Sequence, residues 1–571
     1  MLWALLKLYA SFMVILLSAI AIALFMTRKL NNSGQVPTQG GDRGENVGSW
    51  QLLSENAGIS SMHAAVTHYG TVVMLDRTNI GASQINLTGG RCRDEADELT
   101  LRHDCSAHSI VFTPGAENPV RPLYIQTDTW CSSGQLNGDG TIVQTGGDFE
   151  GIMKIRRFWP CAPDGDCDWV ESTKESLKMG RWYASNQLLP DGYTQIVVGG
   201  RNVFKYEFIP NPSSSPAINL PFLQDTADPQ GDNLYPFLHL LPDGSLFIFA
   251  NRDSIILDYS STKVLKKFPT IPGEPRNYPS AGSSVMLPLR AADGYAHVEI
   301  LVCGGAQYGA FLTPGQYPPA SQTCGRIDVF AAEPKWEMET MPMRRTMGDM
   351  LLLPTEDVLI INGAQNGCQG WGMANNPALT PVVYNPRMAE GQRFTTMAPT
   401  TIPRLYHSTA NLLPDGRVIV AGSNTHQYYT FTGEFPTELR VEAFLPRYLN
   451  VAYDNIRPTI MQAPEKITYN ESFQVRVAVP ASAAVTEMKL SLMSAPFNTH
   501  SFSQGQRLLS LQVLTPPSST ASSGGGEKVY IVSATAPPRP ELAPPSFYML
   551  FAVHNDIPSS TCKWVQLYRH R

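Results

Sequence analysis

Three short stretches carry side chains that can ligate a metal or give up single electrons, and each stands just ahead of a turn. They are Thr129-Trp-Cys131-Ser-Ser-Gly, Gly180-Arg-Trp-Tyr183-Ala-Ser and Arg404-Leu-Tyr406-His407-Ser-Thr. Cys131 and Tyr183 lie eight to nine residues before an Asp-Gly pair, and Tyr406 lies nine to ten before one. Thiol, phenol and imidazole groups suit transition-metal or redox chemistry better than acid–base chemistry alone. Cysteine arithmetic adds to this. The chain has nine cysteines, so at least one lacks an intramolecular partner in an oxidising compartment. One of many pairings joins Cys92–Cys105, Cys161–Cys167 and Cys303–Cys324 locally and Cys368–Cys562 over long range. That pairing leaves Cys131 over, and a spare thiol outside the cell calls for a use.

What must position these residues is a repeated phrase: an apolar run, a turn with Asp-Gly or similar, a second apolar run, then small residues. Leu188-Leu-Pro-Asp-Gly-Tyr-Thr-Gln-Ile-Val-Val-Gly-Gly200 and Leu412-Leu-Pro-Asp-Gly-Arg-Val-Ile-Val-Ala-Gly422 show it well. Asp-Gly supplies the positive-φ turn of a hairpin, and the β-branched runs are its strands. Seven copies turn near residues 70, 140, 192, 244, 294, 357 and 416. A period near 50 with Gly-Gly after the second strand predicts an all-β, seven-bladed kelch-like β-propeller over residues 49–454. An ordinary β-sandwich is the competing architecture, but it has no need of so regular a return. Similar register in successive blades places Cys131, Tyr183 and Tyr406 on one side of a common axis.

From about Arg457 the phrase stops. Short alternating strands over residues 455–571 predict an immunoglobulin-like β-sandwich, with a Pro/Ser/Gly-rich loop at 516–526. At the other end, Lys7 precedes the uncharged, mostly apolar run Leu8–Met26, which Arg28 and Lys29 follow. Residues 1–30 therefore read as a signal peptide or signal anchor, with a polar linker at 31–48. Asn86-Leu-Thr and Asn470-Glu-Ser are glycosylation sequons. Of 571 residues only 16% are charged, against about 25% in an average protein, which disfavours helical bundles and coiled coils. Basic and acidic residues number 43 and 49 with no long basic run, so a nucleic-acid partner is not expected. No dinucleotide fingerprint occurs in a βαβ setting.

In order and context, the three stretches, with Asn498-Thr-His500 after the repeats, closely resemble the galactose oxidase and glyoxal oxidase family of copper radical oxidases. The likeness is greatest to the plant glyoxal oxidase-like aldehyde oxidases, and it covers essentially all of the chain after residue 49. The resemblance implies one copper ion held by Tyr183, Tyr406, His407 and His500. Two imidazoles and two phenolates suit tetragonal copper(II) with a position left open. It also implies a protein-derived radical cofactor, a thioether between Cys131 and Tyr183, which gives the ninth cysteine its use. Tyr183 is then the radical ligand, and Tyr406 is the base for the substrate hydroxyl proton. The implied activity is oxidation of a small aldehyde to a carboxylic acid, with dioxygen reduced to hydrogen peroxide. An alcohol or galactose oxidase with the same site is the near alternative, and a non-catalytic kelch-type cell-wall scaffold or carbohydrate-binding protein the distant one. The expected protein is an extracellular monomer of the apoplast or cell wall, secreted or membrane-anchored through residues 8–26. The family's indole over the cross-linked tyrosine has no clear counterpart; Arg201 or Asn202 falls near its place. Because His500 follows the propeller, Phe497–Phe502 must form a hairpin tip that enters the propeller channel.

Overall fold

The computed structural model describes residues 47–569 except 212–214, 484, 515–517 and 521–525. The apolar run at 8–26, nearly all of the 31–48 linker and most of the 516–526 loop lie outside the described residues. Among the described residues no helix is long and apolar enough to cross a membrane.

The repeated phrase folds into a seven-bladed β-propeller of four-stranded antiparallel sheets. The innermost strands are His63–Val66, Ser133–Leu136, Ala184–Leu188, Phe237–Leu240, Gly282–Met286, Asp349–Leu352 and Ser408–Leu412. Ser49–Ser54 pairs antiparallel with Val441–Leu445, so the last blade takes its outer strand from the start of the propeller and the ring closes. Blades stack face to face, which is why second strands such as Gln195–Gly199 and Leu246–Ala250 are buried at every residue. Their sequences are accordingly continuous apolar runs rather than alternating ones. In the sixth blade Glu356, at φ 69°, stands where five other blades use the glycine of Asp-Gly. The fifth blade opens its hairpin into a longer loop, in which Leu289–Arg290 pairs in parallel with Leu508–Ser510 of the C-terminal region.

The small residues that end each second strand have a positional role. A Cβ on Gly146 would sit 2.0 Å from the Arg181 carbonyl oxygen, and one on Gly304 would sit 2.4 Å from that of Arg345. The neighbouring blade's chain therefore lies directly on this glycine. The amide of Gly147 donates to the Arg181 carbonyl (3.0 Å), and that of Gly363 to the Arg404 carbonyl (2.7 Å). Arg181 and Arg404 are buried, and their guanidinium groups bond back to the Gly199 and Gly422 carbonyls of their own blades. Glu207 and Glu442 balance the two charges. Two residues beyond each arginine come Tyr183 and Tyr406. The repeat thus sets the backbone from which the site side chains project.

After the propeller, residues from Thr459 onward form an immunoglobulin-like sandwich. One sheet holds Thr459–Gln462, Ser472–Pro480, Glu527–Thr535 and Ser518–Thr520. The other centres on Lys489–Ser494, Ser546–His554 and Lys563–Tyr568. The two parts share one apolar core, in which Phe247, Phe249 and Ile300 of the propeller join Leu490, Leu550 and Val565 of the sandwich. From the sandwich a hairpin, Phe497–Thr499 and Phe502–Gln504, enters the channel. It pairs with His63–Val66 and lies against the innermost strand of every blade. Asn498 anchors it by donating to Asp349 (2.9 Å), whose carboxyl burial pushes up to about 7.

Three disulfides form: Cys92–Cys105, Cys161–Cys167 and Cys303–Cys324. The long-range pair does not. Cys368 is buried with Ala306, Ala310 and Met373, whereas Cys562 is buried in a different apolar cluster with Tyr448 and Phe551. Cys131 is also a free, buried thiol.

Candidate metal centre

Cys131, Tyr183 and His407 stand where a loop becomes the innermost strand of a blade. All three have left-handed backbone, with φ 50°, 66° and 64°. Tyr235 and Met347 repeat this at φ 48° and 54°. Such values are uncommon for residues with side chains and are held here by neighbours. The Tyr183 amide donates to the Cys131 carbonyl, and the Tyr235 amide to the Tyr183 carbonyl, each at 2.9 Å. This chain of bonds across blade boundaries turns the side chains into the channel. His500 and Ser501, at φ 44° and 69°, make the tight turn of the inserted hairpin, so the imidazole is carried at its tip.

The five residues singled out by sequence meet in one buried cluster, none more than 4% exposed. The Cys131 Sγ lies 3.2 Å from His500 Nε2 and 4.0 Å from Tyr406 Oη. The Cys131 Sγ and ring nitrogens of His407 and His500 all fall within 4.8 Å of one another. The imidazoles of His407 and His500 are 5.0 Å apart between centroids, and the phenol rings of Tyr183 and Tyr406 lie 6.1 and 5.6 Å from His500.

Electrostatics fit a cation at this point. Burial pushes His407 and His500 well below the ordinary imidazole range, so both are neutral with lone pairs to offer. Neither ring nitrogen of His407 has a hydrogen-bond partner, a costly state for a buried imidazole that ligation would relieve. Burial pushes the phenols of Tyr183 and Tyr406 and the Cys131 thiol upward, so without a nearby positive charge they keep their protons. A divalent metal inverts that preference. Imidazole nitrogens with phenol oxygens are a donor set for copper rather than for calcium or magnesium.

Other residues complete the site. Tyr278 stacks on Tyr183 (4.4 Å between centroids, 29° between planes). Its hydroxyl lies 3.3 Å from Tyr183 Oη and 3.1 Å from Tyr406 Oη, bridging the two phenols. Sequence reasoning missed it, although Arg276-Asn-Tyr278 repeats the Arg-x-Tyr pattern of Arg181–Tyr183 and Arg404–Tyr406. Tyr235 stacks on His500 at 4.8 Å and donates to the Ser132 carbonyl at 2.9 Å. No local signal marked it. Trp130, Trp182 and Trp371 pack half-buried against the cluster. Arg201 lies over Trp182 at 4.9 Å, so it meets an indole rather than replacing one. His63 sits on the innermost strand of the first blade, 6.1 Å between ring centroids from His500. Burial pushes it down to about 4, so it is neutral.

A seven-bladed propeller whose channel is plugged by a sandwich hairpin brings imidazoles, phenols and a thiol together as a donor set for copper redox chemistry. The overall fold is shared with a fungal alcohol oxidase of the AA5 family solved in complex with copper. The TM-score is 0.67 at 18% identity, over 92% of this chain and all of that one. Residues 62–448 match the family described as Glyoxal oxidase N-terminus, and residues 457–567 match the Galactose oxidase-like, Early set domain. The chain belongs to the glyoxal oxidase family. It is 53% identical to the aldehyde oxidase GLOX of Vitis pseudoreticulata, over 91% of this chain and 97% of that protein. It is 41% identical to the aldehyde oxidase GLOX1 of Arabidopsis thaliana, over 91% and 84%.

Proposed function

We propose that this protein is an extracellular copper radical oxidase that oxidises small aldehydes to carboxylic acids and reduces dioxygen to hydrogen peroxide. The carrying observation is the convergence of Cys131, Tyr183, Tyr406, His407 and His500 in one buried cluster, with both His407 nitrogens unpartnered. The two relatives named aldehyde oxidases, which match nearly the whole chain, support the substrate class. The propeller is assigned to residues 49–454 and the sandwich, which supplies one ligand, to residues 455–571.

His407, His500, Tyr183 and Tyr406 would hold the metal. A bound copper ion would supply a one-electron couple there, the complement of the one-electron store on the protein. Tyr183 is the second one-electron store. A thioether to Cys131, formed with loss of two hydrogens to dioxygen, makes its ring easier to oxidise. The aldehyde enters as its hydrate, gives its hydroxyl proton to Tyr406 Oη and a hydrogen atom from carbon to Tyr183, and leaves as the acid. Tyr278 ties the phenols of Tyr183 and Tyr406 together, its hydroxyl lying within hydrogen-bond reach of both. Channel burial excludes water from the radical.

Three disulfides, together with exposed Asn86 and Asn470 in their sequons, support a secreted, glycosylated protein of the cell wall or apoplast. Residues 8–26 act as a cleaved signal or as a membrane anchor, and a monomeric state completes the reading. The test is peroxide release by copper-loaded protein across glyoxal, methylglyoxal, a primary alcohol and galactose. Turnover of the aldehydes above the others is expected. Preference for galactose or the alcohol would move the protein to the neighbouring oxidase class, and no peroxide from any of them would leave a scaffold.

A further inference from the structure

A hydrogen-bonded chain runs from the backbone of the Cys131 loop to the ring of His500. His63 Nε2 lies 3.1 Å from the Thr129 carbonyl oxygen. His63 Nδ1 lies 2.7 Å from Thr499 Oγ1, and Thr499 Oγ1 lies 2.6 Å from His500 Nδ1. A carbonyl oxygen only accepts, so His63 carries its proton on Nε2 and leaves Nδ1 as an acceptor. The Thr499 hydroxyl then donates to His63 Nδ1, and its oxygen accepts from His500 Nδ1–H. That leaves a bare lone pair on His500 Nε2, the nitrogen that faces Cys131 Sγ at 3.2 Å. The reverse polarity would set an imidazole lone pair against the Thr129 carbonyl and put a proton on His500 Nε2. Ser132 Oγ, 3.0 Å from His63 Nε2, accepts from Gln144, which Arg156 holds at 2.7 Å. The ring plane of His500 is held independently by the stacked Tyr235.

We infer that Thr499 and His63 are positioning residues that lock His500 in the Nδ1–H tautomer, so that Nε2 is presented to the metal before it arrives. The inference rests on His500 being a copper ligand. It gives the sandwich hairpin a second task. The hairpin carries His500 in, and the first blade's His63 reads and sets its proton through the threonine beside it. Partners of this kind, behind a ligating histidine, typically change metal affinity by about 10- to 100-fold when removed.

The experiment is a copper(II) competition titration against a chromophoric chelator, on full-length protein stripped of metal, for the parent, Thr499→Val, Thr499→Ser and His500→Ala. Circular dichroism and melting of the metal-free forms control for folding. Valine keeps the shape of threonine and removes its hydroxyl. The inference expects Thr499→Val to bind copper about 10- to 100-fold more weakly with an unchanged melt, and Thr499→Ser to restore parental affinity within a few-fold. The copper visible band should shift in the valine variant and return in the serine one. If Thr499→Val does not fold, Thr499→Ala is read the same way. Parental affinity and spectrum in Thr499→Val, while His500→Ala has lost copper, would overturn the relay and leave the metal centre standing. Undiminished copper binding by His500→Ala would overturn the ligand assignment itself, and the relay with it.

Discussion

Replacing Tyr183 with phenylalanine separates the fold from the chemistry with the loss of one oxygen atom. That oxygen lies 3.3 Å from Tyr278 Oη and has the Cys131 thiol as a second hydrogen-bond neighbour. The ring itself is held by stacking on Tyr278 at 4.4 Å, by the edge of Tyr235 at 5.6 Å and by Trp182 at 4.8 Å, all of which phenylalanine retains. A neutral hydrogen bond is worth about 1 kcal/mol net; the phenol contact is long and a thiol is a weak partner, so the metal-free protein should lose that much at most. In a unit of this size the melting temperature should then fall by no more than about 2 °C. The chemistry should respond very differently. A phenylalanine ring cannot carry the second electron, and peroxide release with glyoxal should fall at least about a thousandfold, equivalent to roughly 4 kcal/mol of barrier. His407, His500 and Tyr406 remain, so copper uptake should persist. The same preparations serve for peptide mass spectrometry. The parent digest should contain the Cys131 and Tyr183 peptides joined and two hydrogens lighter than their sum, and the variant digest should not. A variant that turns over glyoxal at even a tenth of the parental rate would refute the radical role of Tyr183, whatever its copper content.

Two further outcomes follow from particular contacts. His500→Ala empties a space bounded by Tyr235 at 4.8 Å, His407 at 5.0 Å and Tyr406 at 5.6 Å. It should destabilise the metal-free protein by roughly 2 kcal/mol through the cavity and weaken copper by more than about 100-fold, read by melting and by chelator competition. Asp104 tests the pH dependence of stability far from the site. Burial alone would raise its carboxyl, but hydrogen bonds from His108 (2.7 Å) and from Ser106 outweigh that and hold it down at about 2. A carboxyl depressed in the folded state stabilises it fully above the unfolded value near 3.8, and that contribution is lost as pH falls through 2. Asp104→Asn should therefore be less stable than the parent by on the order of 2 kcal/mol at pH 7. The gap should narrow between pH 4 and pH 2 in denaturant titrations, and a gap that widened on acidification would contradict the assignment.

Much of the architecture was legible because its signals are local. An apolar run, Asp-Gly and a second apolar run describe a hairpin completely within about a dozen residues, and the sevenfold return of that hairpin specifies the ring. Cys131, Tyr183, Tyr406 and His407 could be picked out because each stands at a nearly constant distance from such a turn. His500 has no repeat to mark it and was reached only through its likeness to a family. Tyr278 left a trace in Arg276-Asn-Tyr278, but its blade opens into a longer loop that obscured the spacing. The long-range pairing of Cys368 with Cys562 was an arithmetic completion, and the two thiols turned out to be buried in separate clusters.

By itself, then, the order of residues determined the blades, the turns, the sandwich and the types of side chain brought to the channel mouth, since these depend on φ preferences and on periodicity along the chain. Only the closed ring with its inserted hairpin decided that Tyr183 and Tyr406 share a bridging Tyr278, and that His63 reaches His500 through Thr499. It also decided that His407 is left without a partner. Those meetings join residues as much as 436 positions apart. Their distances are set by how seven stacked sheets and a plug share one core, and no stretch of sequence encodes that locally.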